Sequence, residues 1–79
     1  MFYVYALKSE KDGRLYIGLS SNPERRLKEH NDGKTHSTRS RRPFKIIYCE
    51  NLPNRQLARK KELYLKSGIG REFFKSINQ

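Results

Sequence analysis

The stretch FYVYALKSEKDGRLYIGLS, residues 2–20, decides the fold because it contains two runs whose side chains alternate like those of half-buried β-strands. The two runs are residues 2–7 and residues 15–19, and a polar segment that includes Asp12-Gly13 separates them. Because Asp-Gly is a strong turn signal between such runs, we predict an antiparallel hairpin.

Each run of the hairpin carries a tyrosine that is a candidate for chemistry, Tyr5 and Tyr16. If Tyr5 pairs with Tyr16 across the hairpin, both phenols lie on one face of the sheet. Gly18 has no side chain, so we expect it to leave that face open for a phosphodiester to approach. Tyrosines also favour strands for packing reasons, so the pair alone does not establish a function.

Size and charge limit the kind of protein this can be. A chain of 79 residues predicts a single small domain over residues 1–79. The net charge of +10, from 18 Lys and Arg against 8 Asp and Glu, favours a polyanionic partner such as nucleic acid.

The apolar runs, the first residues and the cysteine content argue against a membrane protein, a secreted protein and a zinc-binding protein. No apolar run is long enough to span a membrane, and the first residues lack the basic lead of a secretory signal, so we expect a cytoplasmic protein with no membrane partner. Cys49 is the only cysteine, which excludes an internal disulfide and a zinc cluster. We expect it on the buried side of a strand, as a small packing residue.

The chain after the hairpin predicts a helix, a strand and two further helices. Asn22 and Pro23 are typical of a helix start, with Ser21 and Glu24 as a competing capping box, and Gly33 can end this helix after about Asp32. Residues 34–42 are too irregular for helix or strand, and residues 44–49 predict a third strand.

The second helix is predicted over residues 54–67, where helical spacing gives a buried stripe of Leu57, Ala58, Tyr64 and Leu65. Glu62 lies one step beyond the edge of that stripe, and Leu63 points away from it. The glycines of residues 68–70 separate this helix from a short terminal helix, whose apolar side chains cover the sheet: Phe73, Phe74 and Ile77. We therefore predict an α/β (α+β) fold with a three-stranded antiparallel sheet flanked by helices, in the order strand, strand, helix, strand, helix, short helix.

A basic segment, residues 33–49, is a candidate nucleic-acid contact. It carries five basic side chains and no acidic one, and serines and threonines lie between them: Lys34, Arg39, Arg41, Arg42 and Lys45. This composition suits phosphate contacts that position a strand without reading its bases, although charge runs are commonly just solvated surface. In both cases we expect the loop to be mobile without ligand.

These features together resemble the GIY-YIG nuclease superfamily, specifically its small stand-alone bacterial members. The resemblance covers nearly the whole chain and lies in five motifs in the family's order: Tyr3-Val4-Tyr5, Tyr16-Ile17-Gly18, Arg26 on the next helix, Arg41-Arg42-Pro43, and Glu62 within residues 58–62. The first motif has Tyr3 and Val4 where the family name has Gly and Ile, but it retains Tyr5.

The resemblance implies hydrolysis of phosphodiester bonds with one divalent cation, Mg²⁺ or Mn²⁺, held chiefly by Glu62. It makes Tyr5 the general base or the residue that orients the attacking water, with Tyr16 beside it. Because a phenol has a pKa of about 10, a positive neighbour must favour the phenolate if it is the base. Arg26 is expected to stabilise the charge on phosphorus, and His30 to polarise a tyrosine or relay a proton.

Each of these residues also has a simpler explanation. Arg26 can be a solvated helix charge, and only the motif spacing selects it over its neighbour Arg25. His30 can be a surface histidine near a helix C-terminus. Glu62 can form an ordinary helix ion pair with Arg59 or Lys66.

The combined prediction is a metal-dependent endonuclease that hydrolyses phosphodiester bonds in DNA, with DNA favoured over RNA as the nucleic-acid partner. No helix is free to enter a groove, so we expect structure-selective or weakly sequence-selective cleavage, with a partner protein or homodimerisation supplying the targeting. The alternative is a non-catalytic nucleic-acid-binding module, for DNA or RNA, that retains the GIY-YIG fold.

Overall fold

The computed structural model describes residues 1–77, and its elements follow the predicted order. They are β1 (Phe2–Ser9), β2 (Leu15–Ser20), α1 (Pro23–Asn31), a 3-10 helix (His36–Arg41), β3 (Phe44–Leu52), α2 (Arg55–Lys66) and α3 (Gly68–Ile77). Within this part of the chain, every helix is too short or too polar to cross a membrane.

The three strands form one antiparallel sheet in the order β2-β1-β3, which confirms the predicted fold class. The hairpin register, however, places Tyr5 opposite Gly18 and Tyr16 opposite Leu7, so the expected pairing of Tyr5 with Tyr16 is wrong. The turn sets this register, because Ser9 N–H donates to Arg14 O at 2.9 Å and Lys8 pairs with Leu15. The observed register differs from the expected one by two residues. Because side chains alternate between the two faces with a period of two, Tyr5 and Tyr16 still lie on one face.

Helices cover both faces of the sheet. On one face, Val4 and Ala6 of β1 pack with Leu65 of α2 and Phe74 of α3. The other face buries Tyr5, Leu7 and Phe44, and Leu27 of α1 packs against them. This second cluster fixes the face of the hairpin that carries Tyr5 and Tyr16. Both faces of β1 are therefore buried, as its central place in the sheet requires.

Asparagine side chains cap the first two helices, and the cap of α1 confirms the prediction. The side chain of Asn22 accepts a hydrogen bond from Arg25 N at 3.1 Å, so Asn22 caps α1 and the competing Ser21 box is not used. Asn54 caps α2 in the same way, with Leu57 N as donor at 3.0 Å. Gly33 has a φ of 81°, the left-handed conformation expected after α1.

The buried stripe of α2 differs from the prediction. It consists of Ala58, Glu62 and Leu65, whereas Leu57 and Tyr64 are 44% and 46% exposed. The helix is rotated by about one residue relative to the predicted stripe, which brings Glu62 inside the stripe and leaves Leu63 exposed as expected.

Two further expectations are wrong. Cys49 is exposed and not buried: it lies on the edge strand β3 and lines an open groove with Ile46 and with Pro23 and Glu24 of α1. Residues 36–41 form a 3-10 helix in place of an irregular loop. Long-range contacts hold that helix: Ser9 Oγ donates to Arg41 O at 2.6 Å, and the buried Thr38 contacts His30.

The two glycines predicted to separate α2 from the last helix lie inside the first turn of α3. A Cβ added to Gly70 would lie 2.1 Å from the backbone oxygen of Leu65, whereas nothing lies within 4 Å of a Cβ added to Gly68. Gly70 therefore permits the tight junction between α2 and α3.

We predict that Gly70→Ala lowers the free energy of unfolding by about 1–3 kcal/mol, because a backbone group must move to admit the methyl group. Gly68→Ala is the matched control, and we expect it to be neutral or stabilising by up to about 1 kcal/mol. Urea denaturation of both variants measures the difference. Equal stabilities would show that the junction is not tight.

Candidate active site

The candidate site is a cleft of about 560 Å³ at the outer edge of β2. Because β2 is an edge strand, residues from both sides of the sheet reach the cleft. The hairpin and α1 contribute one wall, and α2 contributes the other; the lining is Phe2, Tyr5, Tyr16, Gly18, Leu19, Ser20, Ser21, Arg26, Arg55, Arg59 and Glu62. The cleft thus brings together four of the predicted site residues, Tyr5, Tyr16, Arg26 and Glu62, next to Gly18.

Gly18 gives Tyr5 room to enter this cleft. A Cβ at Gly18 would lie 2.7 Å from Tyr5 Oη and 3.2 Å from Cε1 of Tyr16. The phenol of Tyr5 therefore crosses directly over Gly18, and the space we expected to be open to a phosphodiester holds this phenol instead.

Tyr5 is 1% exposed, and burial raises its pKa above the ordinary value of 10.0. The Arg26 guanidinium beside it lowers the pKa but does not outweigh burial. At neutral pH Tyr5 is therefore a neutral phenol, which favours the role of orienting a water molecule over that of a general base.

Arg26 lies between Tyr5 and an acidic partner that the sequence analysis did not identify. Its Nη1 donates to Oε1 of Glu29 at 2.7 Å, and its side chain is 34% exposed. The neighbouring Arg25 is 65% exposed and, among the described residues, does not line the cleft. The motif spacing therefore selected the arginine that faces the site.

Glu62 is the one carboxylate that lines the cleft within residues 1–77. It is 7% exposed and forms ion pairs with both of the helix partners considered above, Arg59 at 2.6 Å and Lys66 at 3.2 Å. Within the same range, no group of three or more His, Cys, Asp or Glu side chains is placed to hold a metal. The donor set fits a hard cation held by one carboxylate, with water and phosphate oxygens as its other ligands, provided that a basic partner gives way.

His30 is fully buried, so the simpler explanation of a surface histidine is wrong. Its Nδ1 lies 2.8 Å from Thr38 Oγ1, and its ring centroid lies 4.6 Å from that of Tyr16. Its Nε2 has no hydrogen-bond partner among residues 1–77. Burial, and then the charge of Arg26, lower the pKa of His30 below 6.5, so the ring is neutral at pH 7. His30 stands behind Tyr16 and, in the described part of the chain, is not a cleft residue.

The basic segment lies apart from this cleft: the lining found within residues 1–77 contains none of Lys34, Arg39, Arg41, Arg42 and Lys45. Two of the arginines hydrogen-bond within the segment, Arg39 to Gly33 O and Arg42 to Arg39 O. Arg41 packs over the Phe44 ring at 5.6 Å and pairs with Asp12 at 3.4 Å. These arginine side chains therefore stabilise the fold of the segment in addition to giving it positive charge.

The sequence analysis missed Arg55 as a cleft residue and saw Arg59 only as a helix partner. Both lie on the cleft side of α2 with Glu62. Counting back three and seven positions from Glu62 identifies them, because such positions share one helix face. Within residues 1–77, the cleft lining therefore contains three arginines and one carboxylate.

Because His30 is buried and neutral, we predict a pH-dependent contribution to stability. Its folded pKa is below the unfolded value of 6.5, so the unfolded chain binds the additional proton as the pH falls through 6.5. The free energy of unfolding should therefore fall more steeply between about pH 7.5 and 5.5 in the wild type than in His30→Gln. Chemical denaturation across this range, with the exposed His36→Gln as control, measures it. Parallel pH profiles for the wild type and His30→Gln would contradict the assignment.

Comparison with known proteins places this geometry in a family. The GIY-YIG catalytic domain family matches residues 1–74. A UPF0213 protein of Clostridium perfringens is 45% identical over 67 residues, which cover 84% of this chain and 71% of that protein. A UPF0213 protein of Bacillus licheniformis is 46% identical over 65 residues, which cover 81% of this chain and 66% of that protein. The chain therefore spans about two thirds of the length of these relatives.

A solved structure agrees with the family match. The solution NMR structure of a UPF0213 protein from Bacillus halodurans is 33% identical, with a TM-score of 0.57 over 98% of this chain and 85% of that one. The family match over most of the chain, the two relatives and the shared fold lead to one conclusion: this chain belongs to the GIY-YIG catalytic domain family.

Proposed function

We propose that this protein is a metal-dependent endonuclease that hydrolyses phosphodiester bonds, with DNA as the preferred nucleic acid. The family supports nuclease chemistry in general, since GIY-YIG domains are typically nucleases. The observation that carries the proposal for this chain is one cleft that contains two phenols, a guanidinium and a single buried carboxylate: Tyr5, Tyr16, Arg26 and Glu62.

Arg26 is placed to bind a non-bridging phosphate oxygen. Its guanidinium is one-third exposed and already bound to Glu29 through Nη1, so part of its donor fork remains accessible from the cleft. As water attacks phosphorus, negative charge accumulates on the non-bridging oxygens, and a fixed guanidinium stabilises that charge. Glu29 holds the guanidinium in position and so acts as a positioning residue.

Tyr5 orients the attacking water in this proposal. Its hydroxyl is neutral and fixed over Gly18, so it can hydrogen-bond a water molecule beside the phosphate. Tyr16 lies next to it, and His30 supports the Tyr16 ring from the buried side. The water adds its oxygen to phosphorus and loses a proton, while the departing ester oxygen takes up a proton as its bond to phosphorus breaks.

Glu62 is the residue that would hold Mg²⁺ or Mn²⁺. When bound, such an ion polarises the phosphate and stabilises the leaving oxygen. The carboxylate is available to an ion only when Arg59 or Lys66 releases it, and Arg59 is 58% exposed, so it is free to turn away. Released Arg59 then faces the same cleft as the substrate.

The basic segment would supply positioning contacts away from the chemistry. Its exposed lysines and the remaining donors of its arginines suit phosphate oxygens, and such contacts carry no base specificity. We therefore propose that the protein selects its substrate by structure, and that a partner protein or a second copy of the chain supplies the targeting.

A second candidate function is a nucleic-acid-binding module without cleavage. The ion pairs of Glu62 favour it, because they neutralise the carboxylate that a metal requires. Both functions use the same cleft, so a variant of Glu62 separates them.

We predict that Glu62→Gln abolishes cleavage, by about 10²-fold or more, while nucleic-acid binding is unchanged or tighter. The amide cannot replace the carboxylate as a metal ligand, yet it removes a negative charge from a phosphate-binding cleft. Cleavage with Mg²⁺ and anisotropy binding in chelator measure the two effects. Glu72→Gln, an exposed carboxylate of α3, is the matched control.

If Glu62→Gln cleaves at the wild-type rate, Glu62 is not the metal ligand. If neither protein cleaves single-stranded, duplex, flap or branched substrates and both bind them, the binding module is the correct function.

We predict that Tyr5→Phe lowers turnover by about 10²-fold and that Tyr16→Phe lowers it less, since each change removes only a hydroxyl. Tyr64→Phe is the control, because that tyrosine is 46% exposed on α2 and lies outside the cleft lining of residues 1–77. Single-turnover kinetics at saturating protein measure the chemical step. Unchanged turnover in both cleft variants would show that the phenols only pack.

A further inference from the structure

Arg55 and Phe2 form a pair in the cleft that the proposed chemistry does not use. The guanidinium carbon of Arg55 lies 5.8 Å from the centroid of the Phe2 ring. Both residues line the same cleft as the four proposed catalytic residues. The pair therefore presents a cation and an aromatic face next to the proposed hydrolytic site.

Arg55 is the cleft arginine whose charge is not committed to a carboxylate. Arg26 pairs with Glu29, and Arg59 pairs with Glu62. Within residues 1–77, Arg55 forms no ion pair, and it is exposed at the first turn of α2. Its contact with Phe2 is a cation–π contact at a partly exposed site, which a stronger ligand readily replaces.

The ring of Phe2 is partly exposed at the start of β1. An aromatic ring beside an uncommitted guanidinium is the combination by which proteins bind single-stranded nucleic acid: a base stacks on the ring, and the cation holds the adjacent phosphate. A paired base inside a duplex has both faces covered by its neighbours, so it cannot stack on a ring at the wall of a cleft.

We infer that Phe2 and Arg55 form a subsite for an unpaired nucleotide next to the scissile phosphate, with the base on Phe2 and the phosphate on Arg55. This inference rests on the proposed function for the meaning of the scissile phosphate, and it names the substrate class: DNA that is single-stranded at the cleavage site. On binding, the base takes the place of the guanidinium on the ring, and Arg55 turns to the backbone.

The test is binding in chelator, so that cleavage does not enter the result. Fluorescence anisotropy with a labelled single strand and with the matching blunt duplex compares the wild type with Phe2→Leu, which keeps an apolar side chain but removes the aromatic face. We expect Phe2→Leu to weaken single-strand binding about tenfold and to leave duplex binding unchanged. Arg55→Gln should also weaken single-strand binding and reduce its log-log salt slope by about 0.7.

Two controls keep this test decisive. Lys60→Gln removes one positive charge from the same helix but lines a separate groove with Leu52 and Leu57, so it should retain single-strand affinity and selectivity. The chain contains no tryptophan, so Phe2→Trp places a single reporter in the subsite, and its fluorescence should be quenched by the single strand and not by the duplex. Thermal melts confirm that each variant is folded.

Equal losses for single strand and duplex in Phe2→Leu, or a Phe2→Trp signal that the single strand leaves unchanged, would overturn the inference. Failure of the proposed hydrolysis gives a different pattern. In that case no substrate is cut with Mg²⁺, yet the dependence of single-strand binding on Phe2 persists.

Discussion

The register between β1 and β2 is the constraint on which the site depends. It places Tyr5 opposite Gly18, the position at which a phenol can cross the neighbouring strand without meeting a side chain. A slip of one residue would send Tyr16 of β2 to the other face, away from Arg26. The hydrogen-bonded turn after Ser9 therefore controls the geometry of the cleft farther along the hairpin.

The place of β2 at the edge of the sheet explains how so small a protein assembles a site with mixed charge. A central strand would separate its two faces, whereas an edge strand lets α1 and α2 approach the same cleft from opposite sides. Arg26 comes from one side, and Glu62 with Arg59 comes from the other. The cleft is therefore a product of topology, and its position follows from strand order.

Local patterns predicted the element order, the cap of α1 and the meeting of Tyr5, Tyr16, Arg26 and Glu62, because alternation, capping and motif spacing are properties of neighbouring residues. They did not predict the hairpin register, which depends on how the turn closes. The stripe of α2 was misplaced because Glu62, a charged residue, occupies a buried position between two cations. The sequence did not predict the 3-10 helix because residues outside the segment, Ser9 and His30, hold it.

The ion pairs of Glu62 affect both the folding of the protein and its possible evolution. Since Arg59 and Lys66 already compensate the buried carboxylate, the native state needs no inorganic ion to balance its charge, and in the proposed function metal binding is an equilibrium separate from folding. A shortage of the metal would then stop the proposed cleavage and leave the protein folded. A descendant that lacked the proposed catalysis would likewise keep this fold, and so could acquire a different function.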